Sequence, residues 1–108
     1  MYTKTDQNGN KRYYNDQQQL HQDDGPAIEY SVGSKAWYQH DQCHREDGPA
    51  VELASGDKFW YQYDKLHRED GPAVEYANGS KEWFLQGQLI NVKSQQEFER
   101  YLKLKAFW

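Results

Sequence analysis

Leu66-His67-Arg68-Glu69-Asp70-Gly71-Pro72-Ala73-Val74-Glu75-Tyr76 is the third appearance of one unit in this chain. The same frame begins at Leu20 and at Cys43, so that His21, His44 and His67 recur every 23 residues. Asp24, Asp47 and Asp70 keep the same spacing, as do Gly25, Gly48 and Gly71, and Glu29, Glu52 and Glu75. Self-similarity at a fixed period of this size marks a repeat architecture. A residue that recurs is first of all one that the repeat needs, which weighs against reading any single motif as a catalytic site.

Each unit carries two short runs around a glycine turn. In the third, Pro72-Ala73-Val74-Glu75-Tyr76 is followed by Ala77-Asn78-Gly79-Ser80 and Lys81-Glu82-Trp83-Phe84-Leu85. Asn-Gly between β-prone runs is a strong hairpin signal. Gly33 and Gly56 repeat it, and the Gly and Pro punctuation is too dense for helix. The His-x-x-Asp-Gly-Pro segment reads as a second turn, in which His44 and Asp47, three residues apart, act as staples by bonding side chain to side chain or to backbone. Asn8 to Tyr14 aligns with Asn78 to Phe84 as a half unit, in which Tyr2 to Asp6 supplies the first strand. One residue is inserted in the Asp16-Gln17-Gln18-Gln19 loop.

The chain is therefore expected to be mainly β. Tandem 23-residue hairpins join into a single-layer antiparallel sheet, and equivalent residues form columns about 9.6 Å apart. Lys11, Lys35, Lys58 and Lys81 form one column; Tyr13, Trp37, Trp60 and Trp83 a second; Glu29, Glu52 and Glu75 a third. A two-residue turn would pair Glu75 with Glu82. A three-residue turn with a bulge would pair Glu75 with Trp83, placing Ala73, Glu75, Lys81 and Trp83 on one face and Val74, Tyr76 and Phe84 on the other. The second is preferred because it keeps like charges from facing each other. The whole chain reads as one domain: a partial repeat over residues 1–19, full repeats over 20–42, 43–65 and 66–88, and an end segment over 89–108. Ser94-Gln95-Gln96-Glu97 is a capping box, predicting a helix from Gln95 to Lys105 that presents Phe98, Tyr101 and Leu102 on one stripe to cap the array.

Composition agrees with a thin, aromatic-rich sheet. Ile, Leu, Val and Phe number only 17 of 108 residues, yet 16% are aromatic and the net charge is only −4, which argues against disorder. The charge is uneven: +1 over residues 1–19, −7 over 20–88 and +2 over 89–108. An acidic centre repels phosphate backbones and anionic lipid, so nucleic-acid and membrane partners are not expected. A basic protein surface would be attracted instead. No apolar run is long enough to span a bilayer, the start of the chain lacks the apolar core of a signal peptide, and the single Cys43 suits a reducing compartment.

The unit Leu-His-Arg-Glu-Asp-Gly-Pro-Ala-Val-Glu-Tyr, followed by Asn-Gly-Ser-Lys-Glu-Trp, resembles tandem repeats of small bacteriophage and giant-virus proteins. These are related at a distance to MORN repeats and to the MORN-variant repeats of bacterial antitoxin-like proteins. The resemblance covers residues 20–88 closely and 8–19 weakly. It implies an elongated, curved array of β-hairpins used as a binding surface. The His-x-x-Asp-Gly-Pro lead-in departs from ordinary MORN repeats and argues against their lipid binding.

Catalytic and metal chemistry find little support in the residues. Cys43 and His44 are neighbours in a strand, so their side chains point apart. His21, His44 and His67 are spaced too far apart to share one ion, and no cofactor is implied. The expectation is a non-enzymatic interaction protein in the cytoplasm of a host cell: a phage-encoded inhibitor of a host defence protein, such as an anti-CRISPR factor, covering a basic surface. The residues expected to make contact are Glu29, Glu52, Glu75, Trp37, Trp60 and Trp83, with Asp23, Glu46 and Glu69 in the loops. A self-assembling module, dimerising through Phe107 and Trp108, and an antitoxin-like immunity protein are the alternatives.

Overall fold

The computed structural model describes residues 1–106. Strands β1 (Tyr2–Thr5) and β2 (Lys11–Tyr14) form the first hairpin. The next repeat supplies β3 (Ile28–Glu29), β4 (Lys35–Ala36), β5 (Tyr38–Gln39) and β6 (Gln42–Cys43). The one after it supplies β7 (Val51–Glu52), β8 (Lys58–Phe59), β9 (Tyr61–Gln62) and β10 (Lys65–Leu66). The last contributes β11 (Val74–Glu75), β12 (Lys81–Leu85) and β13 (Gln88–Ile90), followed by α1 (Gln95–Lys105). Nine strands make one antiparallel sheet in the order β1-β2-β3-β4-β7-β8-β11-β12-β13. At about 4.8 Å per strand this accounts for most of the molecule's 48 Å length.

The expected hairpins are present, but their register differs from both sequence-based options. Glu75 lies opposite Lys81 and Val74 opposite Glu82. The reason is the loop. Tyr76 N–H bonds to the Ser80 carbonyl and Gly79 N–H to the Tyr76 carbonyl, closing a three-residue loop over 77–79. Gly79 stands at φ 93°, the left-handed conformation that such a loop requires. Compared with the preferred pairing to Trp83, Glu75 is displaced by two residues. Because side chains alternate with a period of two, that displacement leaves the face assignment intact.

The register fuses two expected columns into one row. Lys11 pairs with Glu29, Glu29 with Lys35, Lys35 with Glu52, Glu52 with Lys58, Lys58 with Glu75, and Glu75 with Lys81. Opposite charges thus face each other across seven strands, which favours this pairing over any shifted one. The adjacent row is mostly apolar: Ile28, Ala36, Val51, Phe59 and Val74.

A second hairpin in each repeat was not foreseen. β5 pairs with β6 and β9 with β10, around the two-residue turns His40-Asp41 and Tyr63-Asp64. Both residues of each turn have φ between 49° and 67°, as a type I′ turn demands. The aromatic between the two strand segments is where the backbone changes partners. Trp37 N–H bonds to the Ala50 carbonyl in the large sheet, while its own carbonyl accepts from His44 N–H. Trp60 does the same with Ala73 and His67, and Tyr13 with Ala27 and His21. In the half unit, the inserted residue turns the two-residue loop into a three-residue one, with Gln18 at φ 63°.

Neighbouring repeats are held together largely by polar contacts. Asn10, Ser34 and Asp57 side chains accept from the N–H groups of Ser31, Ala54 and Ala77 in the next hairpin. Asp64 accepts from Cys43 N–H through its carboxylate and returns its own N–H to the Cys43 carbonyl; Asp41 does this with Leu20. Each such bond contributes about 1 kcal/mol net, and their repetition offsets the shortage of aliphatic side chains.

At the far end the helix spans the residues expected of it. Ser94 caps it by accepting from Glu97 N–H, and the Glu97 carboxylate accepts from Lys93 N–H. Phe98 is fully buried against Trp83 and Leu85, with Ile90, Val92, Tyr101 and Leu102 around them. No helix among the described residues is long and apolar enough to cross a membrane. Phe107 and Trp108, the expected dimerisation residues, lie outside the described residues.

Candidate binding surface

The loops that join one repeat to the next line up along one rim. Each begins at a histidine, and the histidine is the staple, though not to the aspartate three residues on. His44 Nδ1 accepts from the Tyr63 N–H of the following turn at 3.1 Å, His21 Nδ1 from His40 N–H at 3.1 Å, and His67 Nδ1 from Gln86 N–H at 2.9 Å. Accepting at Nδ1 leaves the proton on Nε2, which in His21 faces Asp23 at 2.8 Å and in His44 faces Glu46 at 3.8 Å. His21 and His67 are buried, and the histidine links one repeat to the next.

The aspartate three residues on serves the arginine beside the histidine. Arg45 lies with its Cζ over Trp37, 3.9 Å from the ring centre, and bonds through Nε to Asp47 at 3.0 Å. Its Nη1 bonds to the Pro49 carbonyl at 3.0 Å and to Glu52 at 3.2 Å. Arg68 repeats every contact: Trp60 at 4.0 Å, Asp70 at 3.0 Å, the Pro72 carbonyl at 3.1 Å and Glu75 at 3.0 Å. The glycine of this loop is explained by close approach. A Cβ at Gly48 would sit 3.0 Å from Arg45 Cζ, and one at Gly71 would sit 2.8 Å from Arg68 Cζ.

This arrangement sorts the residues expected to bind a partner. Asp23, Glu46 and Glu69 are exposed on the rim, together with Asp24, Asp47 and Asp70. Glu52 and Glu75 are half-buried in ion pairs with Arg45 and Arg68. Glu29 accepts from the Tyr13 hydroxyl at 3.1 Å. All three lie in the alternating lysine row, so they do not form an acidic face of their own. Trp37 and Trp60 are half-buried beneath guanidinium groups. Trp83 is 4% exposed, covered by α1, and its Nε1 donates to Gln95 Oε1 at 2.9 Å. It belongs to the cap and offers no face to a partner.

Clefts lie between successive rim loops. One of about 940 Å³ runs between Asp23-Asp24 and Glu46-Asp47 over Trp37 and Arg45. The next, about 520 Å³, runs between Glu46-Asp47 and Glu69-Asp70 over Trp60 and Arg68. The last, about 480 Å³, is lined by Arg68, Lys81 and Lys93 with Asp70 as its one carboxylate. The clefts change from acidic to basic along the array.

Burial, then the nearby Asp64 carboxylate, pushes the Cys43 thiol up to about 12, so it stays protonated at neutral pH. The Nδ1 of the adjacent His44 is already occupied by a backbone donor. Burial, ahead of the neighbouring Cys43, also raises the Tyr38 and Tyr61 hydroxyls above their ordinary value. Two of these devices had signals in the sequence that went unread: Asp41, Asp64 and Gly87 recur at the repeat spacing, and Arg45 and Arg68 recur where the first repeat has Gln22. No family model, curated protein or solved structure matches the chain.

Proposed function

We propose that the chain is a non-enzymatic protein-interaction module that docks its acidic rim onto a basic surface of a partner protein. The observation that carries this reading is the threefold presentation of exposed carboxylates, Asp23 and Asp24, Glu46 and Asp47, Glu69 and Asp70, by equivalent loops on one side of the array. A row of like charges on a preorganised scaffold steers an oppositely charged surface and fixes its register. The protonated, buried Cys43 and the structural use of the histidines support the non-enzymatic part. The finer form, a bacteriophage inhibitor of a host defence protein of the anti-CRISPR kind, rests on the resemblance of the repeat.

The test is capture from a host lysate by the wild-type chain and by an Asp23→Asn, Glu46→Gln, Glu69→Gln variant, each at low and high salt. A specific partner should be lost in the variant and weakened by salt. A partner retained equally by both chains at both salt concentrations would refute docking through the rim. A second reading, self-assembly, draws on the edge strand β1, all four residues of which are exposed. Light scattering that gives the monomer mass at every concentration would dispose of it.

A further inference from the structure

The first repeat keeps the cradle for a guanidinium but not the arginine. By repeat position, Tyr13, Asp24, Pro26 and Glu29 correspond to the Trp, Asp, Pro and Glu that hold Arg45 and Arg68. The residue in the arginine position is Gln22. Gly25 is retained as well, yet a Cβ there would meet only Gln22 Cγ, at 3.9 Å. The close guanidinium approach seen at Gly48 and Gly71 thus has no counterpart at Gly25. Its backbone is not in the left-handed region, so conformation does not demand the glycine.

The acceptors are also unspent. Among the described residues, the Asp24 carboxylate, the Pro26 carbonyl and the Gln22 side chain make no hydrogen bond or ion pair, and Glu29 receives only the Tyr13 hydroxyl at 3.1 Å. Lys11 faces Glu29 in register, and among the described residues no ion pair joins them. By repeat position, two carboxylates, a carbonyl and an aromatic ring thus match the four groups that hold a guanidinium twice elsewhere in the same chain.

We infer that this notch receives an arginine side chain supplied by the partner protein. The arginine would stack on Tyr13, bond to Asp24 and Glu29, and donate to the Pro26 carbonyl, completing the series begun by Arg45 and Arg68. Lysine is a poor substitute, because a compact ammonium lacks the planar fork of donors that reaches three separate acceptors while the group stacks on a ring. Naming a partner protein as the source rests on the interaction reading above; the notch rests on the repeat geometry alone.

The experiment follows the amide and ring signals of the full chain by NMR while N-acetyl-arginine amide is added, with N-acetyl-lysine amide as control. Saturable shifts centred on Tyr13, Asp24 and Gly25 are expected for the arginine probe, with the lysine probe about tenfold weaker. Gln22→Arg should abolish the response by filling the notch from within, and should raise Tm by about 4 °C. Asp24→Asn alters one exposed side chain without risk to folding, and should weaken the arginine probe about tenfold. Absence of shifts at these residues, equal binding of the two probes, or an unchanged response in Gln22→Arg would overturn the notch. Probe binding without capture of an Asp24-dependent protein would support the notch and overturn the partner as its source.

Discussion

At the carboxy-terminal end, Trp83 is 4% exposed beneath Gln95 and Phe98, whereas at the other end its counterpart Tyr13 lies half-buried beside a loop with no arginine. The two positions are equivalent in the repeat, and their surroundings decide their use. A solenoid repeat buries its faces only against neighbours, so an end repeat must be closed by something else. The helix closes one end with an apolar cluster around Phe98. The other end stays polar and open, with carboxylates where the interior repeats have ion pairs. The interior tests neither solution, because Trp37 and Trp60, the equivalent aromatics there, are each covered by an arginine.

The largest effect that would sharpen this contrast is Phe98→Ala. Removing a fully buried ring should cost about 3–5 kcal/mol in urea unfolding, against about 1 kcal/mol or less for Tyr2→Ala, whose ring stacks on Tyr14 at the open end. Equal costs would mean that the helix is not the principal closure. Next comes Arg68→Ala, which strips the cover from Trp60 and leaves Glu75 with one cation fewer. About 2 kcal/mol is expected, whereas Gln22→Ala at the open end should cost only a few tenths. A comparable loss at the two sites would show that Gln22 has taken over the role of the arginine.

Alkaline titration probes the middle of the array. Cys43, raised to about 12, stays protonated in the folded chain where the unfolded chain ionises. The unfolded state then binds fewer protons, so stability is complete below the thiol's ordinary value of about 8.5 and falls as pH rises from there toward the folded value. The slope is at most about 1.4 kcal/mol per pH unit for each such group. Tyr38 and Tyr61 add to it in the same direction. Cys43→Ala should flatten the slope measured by chemical unfolding between pH 8 and 11; an unchanged slope would show the thiol to be accessible. The smallest effect separates two glycines. Gly71→Ala pushes its methyl against Arg68 Cζ and should cost about 1 kcal/mol, while Gly25→Ala should be neutral or stabilise by up to about 0.5 kcal/mol. A cost at Gly25 equal to that at Gly71 would remove the open space on which the notch depends.

Much of this is legible in the sequence. The spacing of Gly9, Gly33, Gly56 and Gly79 placed the tips of the four large hairpins, and Ser94 with Glu97 placed the start of the helix. The small hairpins at His40-Asp41 and Tyr63-Asp64 carry no glycine, and positive φ in such residues leaves a faint trace in composition; the one glycine at an equivalent turn, Gly87, stands in the last repeat alone. The partner of each histidine was misread for a different reason. It is a backbone N–H nineteen residues away, reached only when one repeat is stacked on the next.

By itself the sequence determined what is periodic: repeat length, the alternation of faces, the punctuation by Gly and Pro, and the amphipathic helix that ends the series. These follow from local backbone preference and side-chain alternation, which act over a few residues. Only the tertiary structure decided which periodic residues meet. It paired lysine with glutamate across seven strands, laid Arg45 and Arg68 over tryptophan, and buried Trp83 under the cap. Contacts between repeats depend on register and stacking, and both are fixed by the loop geometry and by neighbours that a single repeat does not contain.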